Sequence, residues 1–121
     1  MELKVLPQKF TVCKVSSLSS LDLGCELFFV AKTDEELSVV CPSDYMPENV
    51  TVMDDGWRGF RIQGVLDFSL IGILAKLSGV LAESAIGIFA VSTYNTDYIL
   101  VKEENLDLAL SALRGAGYSV V

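Results

Sequence analysis

The stretch from Gly64 to Val101, GVLDFSLIGILAKLSGVLAESAIGIFAVSTYNTDYILV, constrains the fold of this chain more than any other part. Leu70, Ile73, Leu74, Leu77 and Leu81 recur at helical spacing, and Val80 widens the stripe; Lys76 and Glu83 fall away from it. Ahead of the helix, Phe60-Arg61-Ile62-Gln63 alternates as a strand does and continues to Val65. Asp67-Phe68-Ser69 breaks the alternation and offers Ser69 as an N-cap, which makes Leu70, Ile71 and Gly72 the first helical positions. Behind the helix come the apolar run Ile86 to Val91, a polar connection Ser92 to Asp97, and a strand Tyr98 to Val101. Asn105 can cap a second helix with Leu106, Ala109, Leu110 and Leu113 on one face. Gly115 and Gly117 end it, and Tyr118 to Val121 form a last short strand. The order is β-α-β-β-α-β.

The start of the first helix carries the chemistry. Backbone N–H groups of a first helical turn have no partner inside the helix, and the positive end of the helix dipole favours a carboxylate there. Gly72 has no side chain to block close approach. The same glycine also suits tight packing of helix on sheet, and spacing alone does not choose between the two.

The first half repeats the plan in worn form. Phe10 to Val15 matches Phe60 to Val65 at an offset of 50. Glu36-Leu37-Ser38-Val39-Val40 matches Asp97-Tyr98-Ile99-Leu100-Val101 at an offset of 61, so the first copy is shorter where the second holds its long helix. Ser16 to Leu23 has room only for a short helix or a turn. Pro42, Pro47 and Asp54-Asp55-Gly56 mark a loop-rich join, which divides the chain into residues 1–56 and 57–121 within one fused body.

Composition narrows the function. With 121 residues, 51% apolar and 21% charged, the chain is rich in apolar surface for its size, and a homodimer is expected to cover some of it. A net charge of -7 and nine scattered basic residues argue against a nucleic-acid partner. Arg58-Gly59-Phe60 opens like an RNA-recognition motif, but Arg61 stands where Gly or Ala is required, and the segment opens the repeat instead of forming its third strand. No histidine is present, and Cys13, Cys25 and Cys41 lack CxxC spacing. Neither a metal site nor a disulfide framework is expected, and the thiols read as small buried apolar groups. No cofactor is implied. No carboxylate pair suggests a catalytic site, and nothing recognisable activates Cys41, so no enzyme is expected. MELKVLPQKF has no secretory apolar region, and Asp67, Lys76 and Glu83 interrupt the longest apolar tract, so the protein is expected in the cytoplasm, off the membrane.

The segment Gly72 to Glu83, GILAKLSGVLAE, followed by Ile86-Gly87-Ile88, resembles the signature of ACT domains. Glu36 to Pro42, Gly56-Trp57-Arg58 and Ser92 to Tyr98 resemble more closely the compact bacterial tandem-ACT proteins related to the cytosolic arginine sensors of animals, the CASTOR type. Many ACT domains carry Pro before the loop glycine, where this chain has Ile71. The resemblance implies an α+β protein of two fused ferredoxin-like βαββαβ units, the first degenerate with a shortened helix. It implies a regulatory module that binds an amino acid or a similar small carboxylate; the alternative is a ligand-free structural or oligomerisation module. It places the ligand carboxylate against Ser69, Leu70, Ile71 and Gly72. Amino-group and side-chain contacts then fall on Thr93, Tyr94, Asn95 and Asp97, with Asp97 available to an ammonium or guanidinium group. Asn95 and Asp97 also suit an ordinary turn, and Thr93 and Tyr94 an ordinary strand. Glu36, Leu37, Ser38 and Val39 would complete the pocket, or form its degenerate twin.

Overall fold

The computed structural model describes residues 1–63 and 71–121. Its strands are β1 (Glu2–Val15), β2 (Phe29–Lys32), β3 (Leu37–Pro42), β4 (Val50–Ile62), β5 (Phe89–Ser92), β6 (Asp97–Lys102) and β7 (Ser119–Val120). Helix α1 spans Ile73–Glu83 and α2 spans Leu106–Gly115, with 3-10 turns at Ser43–Tyr45 and Glu103–Asn105. The chain divides into two compact units: Met1–Pro7 with Arg58–Val121, and Gln8–Trp57.

In the larger unit, β4, α1, β5, β6, α2 and β7 follow one another in the β-α-β-β-α-β order read from the sequence. Alternate residues of β4 and β6, Phe60 and Ile62 with Ile99 and Val101, enter one core. Leu77 and Leu81 of α1 and Ala109, Leu110 and Leu113 of α2 fill it from the helices, which is the stripe the 3.6-residue period marks. β5 and β6 pair antiparallel from Phe89↔Leu100 to Ser92↔Asp97. β6 lies beside β4, and β5 takes the edge.

The first seven residues correct the expected boundary, for they pack with the C-terminal unit. Leu3 is fully buried in its core, and β7 pairs in parallel with β1 through Glu2↔Ser119 and Leu3↔Val120. A two-residue strand cannot stand alone; it needs a neighbour with free backbone groups, and the neighbour comes from the far end of the chain.

The smaller unit holds β2, β3 and the adjoining parts of β1 and β4, in the order β2-β3-β1-β4. Its core is Cys13, Val15, Leu21, Val39 and Cys41. The shortened helix expected after Val15 is absent: Ser16 to Phe28 forms turns and irregular chain. Four serines and Gly24 in that stretch compete with helical hydrogen bonding or weaken it. The second helix of the plan is likewise reduced to the Ser43–Tyr45 turn.

The repeat is real in the hairpins, at an offset of 60 instead of 61. Phe29↔Val40 and Lys32↔Leu37 have the same register as Phe89↔Leu100 and Ser92↔Asp97. Thr33 N–H donates to the Glu36 carbonyl and Thr93 N–H to the Thr96 carbonyl, each at 2.9 Å. The single residue matters because it decides the face. Val39 and Cys41 thereby match Ile99 and Val101, the pairs that enter the two cores.

Candidate functional site

Helix α1 begins three residues later than its sequence suggests. The N-cap is Gly72, in the left-handed region at φ 80, and its carbonyl accepts the Lys76 N–H at 2.9 Å. Ser69 is therefore not the cap; Ser69 and Leu70 lie outside the described residues. A left-handed cap selects glycine, since any Cβ there crowds its own backbone. Close packing does not select it: a Cβ at Gly72 would meet nothing within 4 Å. Among the described residues no side chain caps the helix, and the N–H groups of Ile73, Leu74 and Ala75 have no partner within it.

That space is a cavity of about 260 Å³ lined by Met1, Ile71, Gly72, Ile73, Lys76, Ala116, Gly117 and Tyr118. Ile71 is 96% exposed. On the far side α2 ends with its carbonyls occupied, Leu113 and Arg114 receiving the N–H groups of Tyr118 and Gly117 at 3.0 Å. Gly117, at φ 100, makes that closure possible. Burial pushes the Tyr118 phenol up from its ordinary value. The positive end of α1 and the Lys76 ammonium both favour an anion in this cavity. Lys76 carried the signal the sequence reading passed over: a cation in the first turn of a helix that begins at a glycine.

The remaining candidates do not converge on that cavity. Thr93 shapes the β5–β6 turn, its hydroxyl donating to the Thr96 carbonyl at 3.0 Å, and Tyr94 is 80% exposed. The Asp97 carboxylate accepts the Ser92 hydroxyl at 2.6 Å across the hairpin. Asn95 borders a second cavity of about 230 Å³, with Arg61, Ile62, Gln63, Thr96 and Tyr98. In the smaller unit, Glu36 is exposed, Leu37 and Ser38 are half-buried, and Val39 is spent on the core.

Cys13 and Cys41 sit in the smaller core. Burial pushes both thiols up, and Cys41, with Cys13 beside it, rises to about 12. Such thiols are poor nucleophiles at neutral pH. Among the described residues, no group of three or more His, Cys, Asp or Glu could hold a metal ion, and no helix is long and apolar enough to cross a membrane.

Comparison with known proteins gives this geometry a setting. A model of the ACT domain matches residues 52–115. The human and bovine proteins named cytosolic arginine sensor for mTORC1 subunit 1 are each 33% identical to the chain over 82 residues, 67% of its length. The match spans 24% of each of those proteins, about a quarter of the length of these curated relatives. A structurally solved protein of Agobacterium tumefaciens superposes with a TM-score of 0.87 at 32% identity, over 99% of this chain and 91% of the other. The regulatory subunit of aspartate kinase from Thermus thermophilus superposes at 0.65 with 11% identity, over 95% and 96% of the two chains, a likeness of fold.

Proposed function

Because this chain belongs to the ACT domain family, we propose that it senses an amino acid at the start of α1 and acts as a regulatory module without catalysis. The observation that carries this reading is the helix start at left-handed Gly72, which borders a cavity of about 260 Å³ together with Lys76. The ligand carboxylate takes the N–H groups of Ile73 to Ala75, and Lys76 adds a charge-assisted contact. Ile71 and Gly72 line the cavity at that seat, and the family resemblance adds Ser69 and Leu70 to the proposed contacts. A cytoplasmic setting accords with the name of the arginine-sensing relatives.

A second copy completes the pocket. Thr93, Tyr94, Asn95 and Asp97 present an exposed hairpin that one copy does not turn toward its own α1 cavity, so a homodimer is the arrangement in which these groups and Glu36, Leu37 and Ser38 serve a ligand. β5 stands at the end of the strand order, the position at which a second copy would add to the sheet. Val39 supports this from the core and makes no contact itself.

Thermal-shift measurement against the twenty amino acids tests the proposal, arginine first because of the relatives' name. A ligand at a hundred times its dissociation constant adds about 2.7 kcal/mol of stability. One or a few amino acids should raise the melting temperature, and Asp97→Asn should weaken that ligand roughly ten- to a hundredfold. A flat response to all twenty would leave a ligand-free oligomerisation module, and light scattering showing a 13.1 kDa species at tens of micromolar would remove the dimer.

A further inference from the structure

The second cavity of the larger unit has a different chemistry from the first and shares no residue with it. It lies where β4 meets the β5–β6 turn, and its frame is stiff. Thr96 is 7% exposed, and its hydroxyl donates to the Ile62 carbonyl at 2.7 Å, tying the turn to β4. Arg61 stands between Phe60 and Ile62 on β4. Since those two side chains enter the core, Arg61 emerges on the opposite face of the strand.

Its guanidinium is aimed by neutral groups. Nε donates to Gln63 Oε1 at 3.2 Å, and Nη1 makes a longer contact of 3.5 Å to the Tyr98 hydroxyl. Gln63 lies two residues on, just past the end of β4, so the contact is local in sequence. Among the described residues neither partner neutralises the charge, and Nη2 is left over, in a chain of net charge -7 that has carboxylates to spare. Asn95 adds an exposed side-chain amide at the rim, which can both donate and accept.

We propose that this cavity of about 230 Å³ is a carboxylate subsite, in which the free end of the Arg61 fork takes both oxygens of a small carboxylate and Asn95 and Tyr98 read an adjacent polar group. A planar guanidinium matches a carboxylate with two parallel N–H···O bonds, a geometry that a lysine ammonium cannot reproduce. The site requires no ligand at α1, so it stands whether or not an amino acid binds there.

Backbone amide spectra of the isotopically labelled full chain, recorded while succinate, L-glutamate or inorganic phosphate is added, test this. Succinate or glutamate should shift the amides of Gln63, Asn95, Thr96 and Tyr98 saturably. Arg61→Gln should weaken that binding roughly tenfold or more, and Arg61→Lys, which keeps the charge and loses the fork, should recover only part of it. The same spectra report whether each variant is folded. No saturable shift with either carboxylate, unchanged affinity in Arg61→Gln, or phosphate bound as tightly at the same amides would each overturn the proposal. Asn95 also lies on the hairpin assigned to the α1 pocket across a dimer. Succinate shifts at Gln63 and Tyr98 that Arg61→Gln abolishes therefore report this site, and shifts at Ile73, Leu74 and Ala75 report the α1 cavity; either site can fail without the other.

Discussion

Substituting alanine for Gly72 isolates a backbone cost from a steric one. Gly72 sits at φ 80, and the new methyl would meet nothing within 4 Å, so overpacking contributes nothing. What remains is the left-handed conformation, which costs a non-glycine residue about 1–2 kcal/mol. At about 2.1 cal/mol/K per residue, the unfolding entropy of the chain near its melting temperature is about 250 cal/mol/K, which converts that cost into a fall of about 4–8 °C. Asparagine tolerates the left-handed region better, so Gly72→Asn should fall less. Calorimetric melts of the three proteins provide the comparison. An alanine variant as stable as the parent, or an asparagine variant that loses as much as alanine, would refute the conformational argument. The same variant serves a second purpose. Because the methyl points into open space, a loss of amino-acid affinity in Gly72→Ala that exceeds the loss in Gly72→Asn is not expected from a clash within the protein and reports the helix start as part of the site.

Thr96→Val keeps the shape of the side chain but removes the donor to the Ile62 carbonyl; the denaturant midpoint should fall by the equivalent of about 1–3 kcal/mol, and an unchanged midpoint would show the bond to be dispensable. Leu113→Ala opens the larger core and should cost about 2–5 kcal/mol, whereas Leu108→Ala on the exposed face of α2 should stay within about 0.5 kcal/mol, measured in the same urea titration. Alkylation at pH 8 followed by mass spectrometry should label half-buried Cys25 ahead of Cys13 and Cys41. The Cys41 thiol, raised to about 12 from an ordinary 9.0, stays protonated in the folded chain after the unfolded chain has lost that proton. Its contribution to stability is therefore complete below about pH 9 and declines as the pH rises toward 12, which chemical denaturation across that window will show.

The helices and strands of the larger unit were legible because their signals are local. A stripe at Leu77 and Leu81, a stripe at Ala109, Leu110 and Leu113, and alternation at Phe60 and Ile62 each follow from the period of one element, and each enters the core as read. The polar connection Ser92 to Asp97 likewise became the β5–β6 turn, with its first and last residues paired. The worn repeat could be seen too, but its register could not. Two five- or six-residue matches leave a one-residue ambiguity, and only the ladder Phe29↔Val40 against Phe89↔Leu100 resolves it.

The site was legible in its glycine and not in its geometry. Sequence placed the ligand-facing turn at Ser69 to Gly72, since a serine before an apolar stripe satisfies the capping rule; the fold starts the helix after Gly72, whose left-handed φ of 80 lies outside helical geometry. Composition and pattern by themselves determined an acidic βαββαβ unit with an anion-friendly helix start, because charge and periodicity are properties of neighbours along the chain. The tertiary structure alone decided that Leu3 completes the core of a unit more than fifty residues away, that Lys76 and Tyr118 share one cavity, and that Arg61 meets Tyr98 and Asn95 in another. Those contacts join residues that no local period connects, and only strand pairing and burial bring them together.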